Sequence, residues 1–414
     1  MMYFSEISRR PKSEEFSTLS HPQPWLSRMF PGSGNDTGVN VDETKALAFS
    51  AVHRANKLIG RSIAAQPKML YRRDGEERHK IPDAPARHLV HQRPNQMMSA
   101  FTFWFTITVH VLQWGNGYAR IHRDPITRDP VSFELWKPWE TWVILHEREK
   151  WFRHGRENEA IPESEVLHFM GISLDGIKGL SPIQYAARQA IGIGLVQEKY
   201  EASLYGEGLH QGASITLPPG ETLGDNEDEI DANVKAYRQA FEDTYKGPEN
   251  FHKLLILEDG MKLEKMGMPL ESAQFIQSRK FNLSEIGRFY DLPPHKLYDL
   301  ERSTHNNVEH QEIEYVQDCI LPWNISFENE LNRKTLREAQ KPDHYFKFNT
   351  NVLLRADMKS RAEYYSRALG STSPAWMTQD EVRAKEDDNP RGGNADELHS
   401  PANTKLTNMI DEDE

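Results

Sequence analysis

At 414 residues, with 62 acidic against 50 basic side chains and a formal net charge of −12, the chain is too long for one core, since single cores rarely grow past about 250–300 residues. The acidic balance, without any strongly basic tract, argues against tight sequence-independent DNA binding, whose affinity comes from Lys and Arg neutralising phosphates. It does not argue against DNA passing close by, because walls that repel a polyanion do not grip it. A single cysteine, Cys319, excludes an internal disulfide and a thiolate metal cluster and reads as a small core residue in an apolar helical pattern. No run approaches the roughly 20 apolar residues of a membrane span. A hydrophobic fraction of 37% and a mean hydropathy of −0.72 are low for a monomeric enzyme and suit polar tails and much solvent-facing surface. Met1 to Lys12 carries charges and no apolar stretch, so it is not a secretory signal, and a reducing cytoplasm is the expected place of synthesis.

Residues 1–42, rich in Ser, Pro, Gly and Asn, read as a mobile arm. Helical spacing begins near Asp42, with Val52, Ala55, Leu58 and Ile59, and a second helix is expected over Met98 to Leu112. Strands are expected at Lys68 to Tyr71, Tyr118 to His122 and Trp142 to His146, and the turn Gly115-Asn116-Gly117 leads into the second of them. Up to Phe169 short strands alternate with turns, the pattern of a small mixed α+β unit. Trp104, Trp114, Trp136, Trp139, Trp142 and Trp151 concentrate there, and without a basic cluster beside them they read as core or subunit contact rather than base-stacking platforms.

Gly176 to Gln184 is a glycine-punctuated loop opening onto helical pattern. Ser181 suits an N-cap, Pro182 the first helical position, and Gln184 the return bond of a capping box. The helix behind it carries Ala186, Ala187, Ala190, Gly192 and Gly194. Each interior glycine costs about 1 kcal/mol against alanine, which fits a helix pressed against neighbours or bent. Then come a strand at Ala213 to Leu217, a polar helix from Asn226 to Tyr245, a strand at Leu254 to Leu257, and a helix from Ser272 to Tyr290 stopped by Pro293-Pro294. A long helix is expected from Asn306 or Asn307 to about Arg333, kinked at Pro322. Asp357 and Arg361 fit an exposed i,i+4 pair. Thr378 to Glu381 forms a capping box, and the acidic end Asp411 to Glu414 reads as a disordered tail.

No motif supports an enzyme. There is no phosphate-binding P-loop, no hydrolase nucleophile elbow and no paired cysteine. Ser181 in Gly-Leu-Ser-Pro lacks the following N–H that an oxyanion hole would use. His305, Glu309 and His310 approach a metal-binding helix pattern, but the spacing is one residue too long and no third ligand accompanies them. No catalytic residue, cofactor or metal is expected.

Several phrases, in this order and spacing, resemble the portal proteins of long-tailed bacteriophages across about residues 43–395. They are Gly115-Asn116-Gly117-Tyr118-Ala119, Glu165 to Phe169, Gly179-Leu180-Ser181-Pro182-Ile183, Leu257 to Gly260, Glu285-Ile286 through Pro293-Pro294, Ser303 to Asn307, Leu353 to Asp357 and Thr378 to Arg383. Two positions depart from the family's usual pattern, Asp259 for a glycine and Asp380 for an asparagine.

The resemblance implies an α+β portal fold assembled as a ring, typically of twelve copies, at one capsid vertex, through which double-stranded DNA is packaged and ejected. It implies a wing at 43–180, a first stem helix at 181–207, a clip at 208–268 and a second stem helix at 269–292. A tunnel loop would follow at 293–306, then a long kinked helix with a returning wing strand at 307–354, a crown at 355–390 and an acidic tail at 391–414. Lys296, Arg302 and His305 of the tunnel loop are the expected DNA-facing side chains. The implied partners are further copies of the chain, the major capsid protein, the terminase large subunit and the head-tail adaptor, with no membrane. The implied location is the virion, after assembly in the host cytoplasm. Twelve copies at −12 each would give a ring charge near −144. The alternatives are another structural virion protein such as a head-tail adaptor, although adaptors are usually much shorter, and a packaging enzyme, against which the missing P-loop speaks.

Overall fold

The computed structural model describes residues 41–155, 159–207, 213–216, 218, 222–223, 225–245, 262–265, 272–297, 311–353, 358–371, 374–386 and 389–398. The expected arm up to Asn40, the strand at Leu254 to Leu257, Asp357 and residues 399–414 of the acidic tail lie outside the described residues, whereas the first residues of that tail, 391–398, are described and include the short helical turn Gly393–Asp396. The chain divides into two compact units, one of Met1–Ser303 with Gln317–Phe348, the other of Thr304–Val316 with Asn349–Glu414.

The first unit starts with α1 (Glu43–Ala46) and α2 (Ser50–Ala65), where the sequence suggested one helix. Asp42 caps α1 by accepting the Lys45 N–H at 2.7 Å. There follow β1 (Lys68–Asp74), β2 (Glu77–Lys80), α3 (Pro85–His91), α4 (Ala100–Trp114), β3 (Asn116–Arg123) and β4 (Pro130–Trp136). Next come β5 (Thr141–His146), β6 (Glu149–His154), β7 (Ile161–Pro162) and β8 (Val166–Met170). After a glycine-bearing loop come α5 (Arg188–Glu207), β9 (Ala213–Thr216), α6 (Glu227–Tyr245), β10 (Lys262–Lys265) and α7 (Ser272–Phe289), then α8 (Leu321–Thr335) and β11 (His344–Phe348). The long kinked helix takes a more specific form than the sequence suggested. Residues 311–314 are α-helical, a π-helical turn, Tyr315–Ile320, follows, and α8 continues from it, so Pro322, which has no N–H to give, lies inside one helical run as expected, directly after the π turn.

The sheets are small and antiparallel, ordered β11-β1-β2, β4-β3-β8 and β5-β6-β7, with β9 and β10 forming a separate pair. Trp104 of α4 is the centre of the main core. Its ring meets Phe169, Phe327 and Phe348 at centroid distances of 5.7, 5.9 and 5.4 Å, and its indole N–H donates to the Val90 carbonyl at 2.8 Å. Tyr118, Trp136, Phe152, Ile161 and Val166 form a satellite core between the two other three-stranded sheets. Trp104 and Trp136 are therefore structural, as expected, whereas Trp139 is exposed and leans on Trp114.

Two buried lysines tie these layers together. Lys68 Nζ donates to the carbonyls of Ile63, Ala64 and Gln66 at 2.8, 3.1 and 2.8 Å, placing a cation at the C-terminal end of α2 where the helix carbonyls point. Burial draws its pKa down to about 7. Lys334 Nζ lies 2.6 Å from Glu330 and donates to the Val166 carbonyl at 2.6 Å, while Glu330 accepts the His168 N–H at 2.7 Å. On the other side of α8, Glu328 and Asn332 accept the N–H groups of Phe348 and Phe346 at 2.7 and 2.6 Å. The side chains of α8 thus take the place of a missing strand along the open edges of both β8 and β11, which satisfies backbone groups that burial would otherwise penalise.

In the second unit, α9 (Met358–Ala368) and α10 (Gln379–Lys385) are joined by Arg361, which pairs with Glu386, and by the Tyr365 hydroxyl, which donates to Glu386 at 2.6 Å. The expected capping box is present, with reciprocal Thr378 and Glu381 bonds of 3.1 and 3.0 Å. Asp380, the departure noted in the sequence, accepts the N–H groups of Arg391 and Gly392 at 2.8 and 2.6 Å, and these bonds hold its carboxyl below the usual range.

Glu330→Ala should strand the Lys334 ammonium in the interior and cost about 3–5 kcal/mol, read as a lower urea midpoint. Adding Lys334→Met should restore most of the loss.

Candidate functional site

The two glycine phrases singled out in the sequence meet in space. Gly115 ends α4 with φ +73° and its N–H bonded to the Val111 carbonyl at 2.8 Å. A Cβ on Gly115 would stand 2.0 Å from the Leu180 carbonyl oxygen, and one on Gly179 would stand 2.0 Å from the Gly115 carbonyl oxygen. The backbones are pressed together with no room for a methyl group on either side.

Asn116 clasps this contact with every hydrogen bond its amide can make. Its NH2 donates to the Gly179 and Trp114 carbonyls at 2.7 and 3.0 Å, and its oxygen accepts from the Gly179 N–H at 2.8 Å and from His168 Nε2 at 3.0 Å. His168 is buried, and desolvation holds its pKa well below the usual value, so the ring stays neutral. Ser181 donates to the Gln113 carbonyl at 2.7 Å and accepts the Gln184 N–H at 3.2 Å, so it caps as expected. The expected return bond is not made. Gln184 reaches Glu43 instead, at 3.1 Å, because the start of α1 lies beside it. The helix that follows opens with a π-helical segment, Ile183–Ala187, before α5 begins.

From this joint α5 runs against α7. Gly194 is the closest point, where a Cβ would meet Phe49 at 2.5 Å and the Asn282 side chain at 2.7 Å. Farther along, Gln197 donates to Ser278 at 2.8 Å and Arg279 pairs with Glu201 at 2.6 Å, which makes the two helices antiparallel. Close packing thus explains Gly194, whereas Ala186 of the same small-residue run is exposed. Roughly 100° around α5 from that contact, at 100° per residue, Ile193, Val196 and Tyr200 are each more than a third exposed, and on α7 Phe281 is 62% exposed.

α7 ends in a Schellman turn with Asp291 at φ +52°, where glycine is usual. The Leu292 N–H bonds to the Gly287 carbonyl at 2.9 Å and the Asp291 N–H to the Arg288 carbonyl at 3.4 Å. Burial and the neighbouring Asp318 raise the Asp291 pKa, and the same environment pushes the buried Cys319 thiol up to about 12, an inert core cysteine. Lys296, a proposed DNA-facing residue, lies in the short helical turn Pro294–Leu297, and its carbonyl accepts from Arg54 Nε at 3.2 Å. Arg302 and His305 lie outside the described residues, as do Glu309 and His310. Among the described residues no group of three or more His, Cys, Asp or Glu is placed to hold a metal ion.

The sequence model of the family described as Phage portal protein matches residues 50–387. The chain belongs to the phage portal protein family. It is 26% identical over 358 residues to the portal protein of Enterobacteria phage HK97, covering 83% of this chain and 82% of that one. A crystal structure of an HK97 family phage portal protein from Corynebacterium diphtheriae superposes with a TM-score of 0.54 at 18% identity, over 76% of this chain and 97% of that one. A chain in the neck of a native gene transfer agent particle, computed with C12 symmetry, superposes with a TM-score of 0.53 at 16% identity, over 86% and 97%. The α+β portal fold expected from the sequence is the fold found.

What the phrases hid was their geometry. Asn116 was part of a recognised phrase with no role of its own, and only the structure shows it as the clasp. Its one local signal was an asparagine between two glycines at a helix end.

Gly179→Ala should cost roughly 3 kcal/mol through backbone overlap, whereas Gly176→Ala, at φ +71° with nothing within 4 Å, should cost only the roughly 1–2 kcal/mol of a left-handed alanine. Thermal melts of the two variants give the comparison. Asp291→Asn keeps a residue that tolerates positive φ and removes the repulsion from Asp318, so stability at pH 7 should rise. Because the Asp291 pKa is raised on folding, the gain should shrink as pH falls toward the ordinary carboxylate range.

Proposed function

We propose that identical copies of this portal family chain close into a ring of twelve, with α5 and α7 forming its central wall, and that double-stranded DNA passes through the ring at one capsid vertex during packaging and ejection. Membership in the portal family carries this proposal. The twelvefold symmetry used for the related particle neck supports the subunit number. The helix pair adds a physical reason. It is stapled internally at Gly194, Gln197 and Glu201, yet it leaves Ile193, Val196 and Tyr200 on α5 and Phe281 on α7 exposed. Apolar side chains left exposed on both helices suit burial against an adjacent copy.

On this account residues 43–180 form the wing, 208–268 the clip, 293–306 the tunnel loop, 307–354 the long kinked helix with the returning wing strand and 355–390 the crown. Lys296, Arg302 and His305 would meet the passing duplex. The chain acts as a passive conduit rather than an enzyme, docking the terminase large subunit, the head-tail adaptor and the capsid protein while others supply the work. Assembly takes place in the host cytoplasm before incorporation into the virion.

The purified chain should show a native mass twelve times the 47.9 kDa of one subunit and no intrinsic ATP hydrolysis. A monomer at every salt concentration, or ATP turnover by the pure protein, would contradict the proposal.

A further inference from the structure

α2 carries a second feature that neither the core nor the joint uses. Its inner face, Ala51, Val52, Ala55, Asn56, Ile59, Gly60, Ile63 and Ala64, is buried. Its outer face carries His53, Arg54, Lys57 and Arg61, and the sixteen residues contain no aspartate or glutamate. In a chain with a net charge of −12 this is an island of one sign. Local helix energetics oppose it. His53/Lys57 and Lys57/Arg61 are i,i+4 pairs of like character, which destabilise a helix by about 0.2–0.5 kcal/mol when both are charged. His53 and Arg54 also sit near the N-terminal end, where the macrodipole disfavours cations. Among the described residues no carboxylate pairs with Lys57 or Arg61. A sequence that keeps such a conflict has a use for it outside the isolated fold.

The position of the island identifies the ligand class. Arg54 Nε donates to the Lys296 carbonyl at 3.2 Å, so the cationic face of α2 is joined to the turn that opens the tunnel-loop segment. His53, Lys57 and Arg61 recur every four residues, a rise of about 6 Å, close to the spacing of every second phosphate along one strand at 3.4 Å per step. We infer that the outer face of α2, with Lys57 and Arg61 at its centre, is a phosphate-backbone contact for duplex DNA. It would be a local brake in an otherwise repulsive conduit. The inference rests on the portal reading proposed above.

The test uses the purified full chain in whatever assembly its native mass reports, with a fluorescent duplex as probe and binding followed from about 50 to 200 mM salt. Lys57→Ala with Arg61→Ala should lower the salt slope of binding by about 1.8 and weaken binding about tenfold at the lower salt, since each lost phosphate contact removes about 0.9 from the slope. The native mass should be unchanged, and Lys57→Glu with Arg61→Glu should weaken binding further in the same assembly. An unchanged slope with an intact assembly would overturn the inference. So would loss of the assembly on charge reversal while the alanine pair still binds DNA as wild type does, which would assign the face to an acidic surface of the adjacent copy. The wild-type mass tests the ring reading separately.

Discussion

The contact between the backbones at Gly115 and Gly179 sets the geometry of the rest of the first unit. Neither residue tolerates a methyl group there, and Asn116 holds the two strands of chain together with two bonds to Gly179, its other two going to Trp114 and His168. On one side lie α4, β3 and the Trp104 core, and on the other the first residues that lead into α5. The direction in which α5 leaves the sheet region is therefore fixed by steric exclusion, the two Asn116–Gly179 bonds and the Ser181–Gln113 bond. A second close approach, at Gly194, then fixes where α7 lies against α5. After the turn at Asp291, α8 returns to the sheets and closes two of their edges with its own carboxylates and amide. Two close approaches thus transmit the order of the core to the helix pair proposed to wall a channel.

Cations are used in two opposite ways. Lys68 and Lys334 are buried, and each is surrounded by carbonyl or carboxylate oxygens, so the cost of removing an ammonium from water is offset by directed bonds. Lys57 and Arg61 on α2 have no such carboxylate partner among the described residues, in a protein whose charge is otherwise acidic. The contrast separates lysines that serve the fold from those available to a ligand.

Much of this was legible in the sequence because it is written in local chemistry. The cap at Ser181, the left-handed Gly115, the capping box at Thr378 and the helical spacing of Ala273 to Tyr290 depend on neighbours a few residues away. The contacts that matter most are not local. Asn116 and Gly179 are 63 residues apart, and His168 and Glu330 are 162 apart, distances over which spacing carries no information. Gln184 illustrates the limit. Its sequence position fits a capping box, but a glutamate 141 residues away in the chain competes for its amide and wins. The order of short phrases bridged the gap, since it identified the family even though no single phrase specified a contact.

A cryo-electron microscopy reconstruction of the purified chain tests the central claim most directly, because it locates α5 and α7 relative to a symmetry axis. The account predicts a closed ring in which Arg188–Glu207 and Ser272–Phe289 lie nearest the central channel and Ile193, Val196 and Phe281 are covered by adjacent copies. A ring with those helices on its outer rim, or with these three side chains still facing solvent, would contradict it.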